Sequence, residues 1–137
     1  MTGSERLIDE LSDKRNQKWI KKNISATIKD SGVLKDKGKI EFYPFFPGDE
    51  RCTLIFKVDS SSSMYDEDLT IIIRPDNGTD DRVLRVVLQE GSKIIQKAEN
   101  KDRKRYSSGK VFHKEIVAIE GDIKEYLYDY VKRMNAS

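Results

Sequence analysis

The sequence predicts an α+β chain with an N-terminal helix, a mostly antiparallel sheet of about six strands and a C-terminal helix. Three observations carry this expectation. Mostly apolar stripes recur at helical steps near both ends: Leu7/Ile8, Leu11, Arg15 (a polar break) and Trp19, continued imperfectly by Ile20, Ile24, Thr27 and Ile28 at the start, and Ile123, Leu127, Tyr130/Val131 and Met134 at the end. Between them the period falls to two, most cleanly where Cys52, Leu54, Phe56 and Val58 alternate with Arg51, Thr53, Ile55 and Lys57. Short turn signals separate the alternating runs, and such connections suit antiparallel neighbours rather than parallel crossovers.

The first helix is expected over 5–29. Thr2 and Glu5 have capping-box spacing, the stem of Arg15 can cover apolar surface, and Gly32 suits a left-handed residue just past the helix end. Asn23 and Ser25 mark a break that would divide this long segment in two. A hairpin is expected from strands at 40–46 and 51–59, turned by Pro47 and Gly48, with Pro44 confining the first strand to an edge or an end. The continuous run 69–73 predicts a central strand covered on both faces. Asn77-Gly78 turns the chain into a strand at 83–88, and Glu90-Gly91 turns it again into one at 93–98. A charged loop over 99–110 and a last strand over 111–119 follow. Gly121 marks a boundary and Asp122 a helix N-cap. A partly closed sheet capped by the last helix, similar in architecture to pleckstrin-homology domains, is the alternative arrangement of these elements.

The length of 137 residues suits one domain over 1–137, with a flexible N-terminal end. Such a chain buries roughly two-thirds of its unfolded surface and needs neither metal nor disulfide to fold. Cys52 is the only cysteine, so no internal disulfide can form, which fits a reducing compartment. The N-terminal residues lack a signal-peptide apolar core and no stretch approaches membrane-span length. These features lead to the expectation of an intracellular protein of the cytoplasm or nucleus. Charge is segregated although the net value is only +2. Segment 14–29 has six bases and no acid, 41–90 has eleven acids and five bases, and 91–115 has eight bases and three acids.

Catalysis is not expected. His113 is the only histidine, and no nucleophile sits at a diagnostic spacing from it. Cys52, on an alternating strand without an evident activator, suits core packing, and with His113 it falls short of a four-ligand zinc set. The sequence lacks a Walker phosphate loop, a GxGxxG run and a nucleophile elbow, so no cofactor is implied. The acids Asp66, Glu67 and Asp68, and Asp76, Asp80 and Asp81, supply the carboxylates of a metal-dependent phosphoesterase or nuclease. Their spacing, with Glu90 and Lys93 beyond, does not make them converge, and solubilising loops explain them as well.

Binding is the expected function, first as a protein-interaction module or small assembly subunit, homo-oligomers included. Phe42, Tyr43, Phe45 and Phe46 cannot all be buried on one face of an alternating strand, so Phe45 and Phe46 are candidate contacts. Tyr128 is another, because Leu127 and Val131 define the packed stripe beside it. RNA or DNA binding is the alternative. Lys101, Arg103, Lys104, Arg105 and Lys110 could grip phosphates and Tyr106 could stack on a base, with Lys18 and Lys22 extending the footprint. Solvent-facing hairpins also collect such charges. Contact with membrane phosphoinositides would require the same bases to form a pocket.

Overall fold

The structure, a computed structural model, describes residues 7–34, 38–45, 53–59, 69–75, 83–90, 100–106 and 111–136. Two helices open it, α1 (Leu7–Ser12) and α2 (Lys14–Asp30). Five strands follow: β1 (Lys39–Phe45), β2 (Thr53–Asp59), β3 (Leu69–Pro75), β4 (Val83–Glu90) and β5 (Asn100–Tyr106). The helix α3 (Phe112–Ala136) closes the order. The architecture is α+β, with N-terminal helices, an antiparallel sheet and a C-terminal helix.

The first helical segment breaks at Asp13, not at Asn23 or Ser25. Asp13 has extended backbone angles (φ −68°, ψ 122°), and its carboxylate accepts from the Arg15 N–H at 2.8 Å, capping α2. The ending of α1 is satisfied from the next helix. Asn16 Nδ2 donates to the Glu10 carbonyl at 2.9 Å, and Gln17 Nε2 to the Leu11 carbonyl at 2.8 Å. Gln17, Ile20, Ile24 and Ile28 form the buried stripe of α2, whereas Arg15 is exposed. Asn23 and Thr27 stay within the helix by bonding back to the carbonyls four residues earlier. The helix ends as expected at Gly32, whose φ of 82° lies in the left-handed region.

The strands form one antiparallel meander in the order β1-β2-β3-β4-β5. The expected hairpin is β1 and β2, and β3 is central. Among the described strands, β1 and β5 are the edges and no pairing joins them. One face builds the core with Leu54, Phe56 and Val58 of β2, Leu69, Ile71 and Ile73 of β3, and Leu84, Val86 and Leu88 of β4. Helix residues Ile20, Ile24, Ile28, Phe112, Ile116, Ile119, Ile123 and Leu127 complete it. α2 lies against β1 and α3 against β5, and the two helices also touch.

Three sequence expectations are corrected. The structure describes five strands, not about six. Segment 100–106, expected as charged loop, is β5 and pairs with β4 along its length. Segment 111–119, expected as a strand, belongs mostly to α3, which runs through Gly121 and Asp122 without a break. The competing signals can be weighed. A glycine inside a helix costs about 1 kcal/mol relative to alanine. Burying Phe112, Ile116 and Ile119 on the helical stripe stabilises by about 1.5–3 kcal/mol each. The stripe wins. The expected strand at 93–98, the Thr2/Glu5 box, Cys52, Phe46, Lys110 and both acidic clusters lie outside the described residues.

Candidate interaction surfaces

Because the helices cover one face of the sheet, alternation aims the remaining strand positions away from the helical layer. The register orders these positions into rows. Tyr43 pairs with Ile55, Ile55 with Ile72, Ile72 with Val87, and Val87 with Asp102. On one side of this largely apolar row, roughly 7 Å along the strands, Arg74 lies opposite Arg85 and Arg85 opposite Lys104. On its other side, Glu41 faces Lys57, and Thr70 faces Gln89.

Ile55, Ile72 and Val87 are partly buried and Tyr43 is 39% exposed. Burial against its neighbours, and then the Glu41 carboxylate two residues earlier, push the Tyr43 phenol above its ordinary range. It stays neutral and offers an amphipathic contact. The charges differ in kind across the face. Lys39 opposite Asp59 and Glu41 opposite Lys57 are favourable cross-strand pairs. Arg74 opposite Arg85, followed by Lys104, sets three like charges across neighbouring strands, which opposes pairing. Register places Arg74 on β3, Arg85 on β4 and Lys104 on β5 in this row.

The sequence-predicted residues within the described segments lie on α2, β1, β5 and α3. Lys18 and Lys22 are exposed on α2. α2 lies against β1, where Lys21 Nζ is 5.9 Å from the centre of the Phe42 ring. β5 is the opposite edge, four strand spacings or about 19 Å away. Along β5 the register sets Lys101, Arg103 and Arg105 opposite the core residues Leu88, Val86 and Leu84, Lys104 opposite Arg85, and Tyr106 opposite Val83. Phe45 ends β1 opposite Thr53, and Tyr128 is 69% exposed on α3.

His113 lies in the first turn of α3, exposed, with its ring 4.7 Å from that of Trp19 and nearly perpendicular to it. This contact joins the start of α3 to the middle of α2. Among the described residues, no three His, Cys, Asp or Glu side chains are grouped to hold a metal ion, and no helix is long and apolar enough to cross a membrane.

Arg74, Arg85, Ile72 and Val87 did not emerge from the sequence reading. Their signal was present in the alternation of 69–75 and 83–90, but the continuous apolar run of β3 pointed to cover on both faces. No family model matches the chain, and neither do any curated protein or any solved structure.

Proposed function

We propose that the chain is a non-catalytic protein-interaction module whose sheet face opposite the described helices receives an acidic segment bearing aliphatic side chains. The observation that carries this reading is the adjacency of two rows on one face: Tyr43, Ile55, Ile72 and Val87, in a row that ends at Asp102, beside Arg74, Arg85 and Lys104. Removing Ile72 and Val87 from water supplies binding energy without directional demands. The positive row supplies orientation and selects against basic partners. Nucleic acid fits the same face less well. Bases bind sheets by stacking on aromatic rings, and the row is aliphatic between Tyr43 at its β1 end and Asp102 at its β5 end.

Fluorescence anisotropy with labelled probes tests this at low and physiological salt. One probe is a peptide alternating Glu with Leu or Val, one its Lys-for-Glu counterpart, and one a mixed-sequence single-stranded oligonucleotide. The acidic peptide is expected to bind best. Ile72→Asn is expected to weaken it about tenfold through lost apolar contact, and Arg74→Glu to weaken it with a reduced salt dependence. Tighter binding of the oligonucleotide, or acidic-peptide binding indifferent to both substitutions in folded protein, would overturn the proposal.

A further inference from the structure

Away from the sheet face, a cleft of about 300 Å³ opens between the C-terminal turn of α2 and the middle of α3. That volume is at the lower end of the roughly 300–1,000 Å³ typical of small-molecule sites. Thr27, Asp30 and Ser31 line it from α2, and Glu120, Lys124 and Tyr128 from α3. The hydrogen-bonding capacity of these walls can be counted. The Thr27 hydroxyl donates to the Asn23 carbonyl at 3.1 Å. The Ser31 hydroxyl donates to the Ile28 carbonyl at 2.6 Å and accepts from the Val33 N–H at 3.2 Å. Both hydroxyl protons are thus directed back into the protein, and lone pairs remain for a ligand. Asp30 and Glu120 add carboxylate oxygens, which accept only.

The charges point the same way. Two carboxylates against one ammonium leave the lining one charge negative. The C-terminal end of α2 contributes further negative potential. Lys124 stands four residues after Glu120, a favourable spacing for an ion pair, yet among the described residues no ion pair joins them. Burial alone raises the Glu120 carboxyl above its ordinary range. Tyr128, 69% exposed, offers an aromatic wall that no core packing requires.

We infer that this cleft binds the guanidinium or ammonium head of an organic monocation with a short apolar stem. The acceptors would take its N–H donors, and the Tyr128 ring would hold the stem or the charged face. A free alkyl cation and an arginine or lysine side chain present the same chemistry. Lys124 is the internal competitor, since its own ammonium occupies the same field.

The test uses ¹⁵N-labelled full chain, titrated with n-butylguanidinium, its neutral isostere n-butylurea, and N-acetylarginine methylamide. Saturable shifts confined to the amides of 27–31 and 120–128 are expected with n-butylguanidinium and absent with n-butylurea. Glu120→Gln should weaken binding about tenfold through loss of a charge-assisted bond. Tyr128→Ala should weaken it severalfold, and Lys124→Met should tighten it about threefold. The backbone spectrum of each variant verifies its fold in the same experiment. Arginine methylamide binding equal to n-butylguanidinium supports a protein side chain as the source, and exclusive binding of the free cation supports a small molecule. Absence of saturation, an equal response to n-butylurea, or unchanged affinity in Glu120→Gln would overturn the inference.

Discussion

Arg133 Nη2 donates to Glu90 Oε2 across 2.8 Å, and the Tyr126 hydroxyl donates to the same oxygen. A carboxylate only 3% exposed at the end of β4 is therefore held by two side chains of α3. Burial, and then the nearby Glu90 carboxylate, push the Tyr126 phenol far above its ordinary range, so it remains a donor. Removing a partner leaves a buried charge under-compensated, which costs more than the pair itself contributes. Arg133 is 39% exposed, so screening moderates the loss. Arg133→Met is expected to destabilise by about 2–3 kcal/mol and Tyr126→Phe by about 1–2 kcal/mol in urea unfolding. Their double mutant should be non-additive. An additive pair would show that the two donors do not share one carboxylate.

The joint between α1 and α2 gives a second prediction. Gln17 is buried, and its amide is the side-chain donor to the Leu11 carbonyl. Gln17→Leu keeps the volume but removes the donor, so unfolding free energy should fall by about 1–3 kcal/mol. Asp13 acts at the same joint with a pH signature. The Arg15 backbone N–H donating to it holds its carboxyl below the ordinary 3.8. Its stabilisation is present above 3.8 and is lost as pH falls through the lower folded value. Asp13→Ala should lower Tm at neutral pH, with the difference from wild type shrinking in acid. A pH-independent difference would rule out the carboxylate as its source.

These two networks show what a linear reading can and cannot reach. The alternation of Leu54, Phe56 and Val58 and the helical steps of Ile20, Ile24 and Ile28 are local, and their elements were legible. The end of α1 was not, because the groups that satisfy its carbonyls are the side chains of Asn16 and Gln17 in the next helix. The start of α3 was misread because β-branched Val111, Ile116 and Val117 favour strands locally, while the 112, 116, 119 and 123 stripe gains its energy only against a sheet. Tyr128 could be picked out from the stripe beside it, but its neighbours Asp30 and Ser31 come from a helix ninety-odd residues away in the chain.

Glu120 yields a prediction of opposite sign to Asp13. Burial raises its carboxyl above the ordinary 4.5, so the folded chain holds that proton more tightly than the unfolded chain does. Stability should therefore fall as pH rises from 4.5 through the raised folded value, and stay lower above it. Glu120→Gln removes the titration. The variant should be more stable than wild type at neutral pH, by roughly 0.5 kcal/mol or less once solvent screening is included, and should match it in acid. Tm measured against pH for both chains checks this.

The neighbouring Gly121 separates a backbone cost from a functional one. It sits inside α3, exposed, and a Cβ built there meets no atom within 4 Å. Its φ is not left-handed, so alanine fits the same backbone without strain. Alanine also reduces the freedom of the unfolded chain. Gly121→Ala should therefore stabilise by about 0.5–1 kcal/mol and raise the urea midpoint at unchanged slope. The residue directly follows Glu120 in α3, so the same variant can be titrated with n-butylguanidinium. Increased stability with undiminished affinity would show that the glycine is a plain helix defect. Increased stability with weakened binding would show that a ligand approaches the backbone there, closer than a methyl group permits. A destabilised variant would contradict the open space around Gly121 and, with it, the continuous course of α3 through this point.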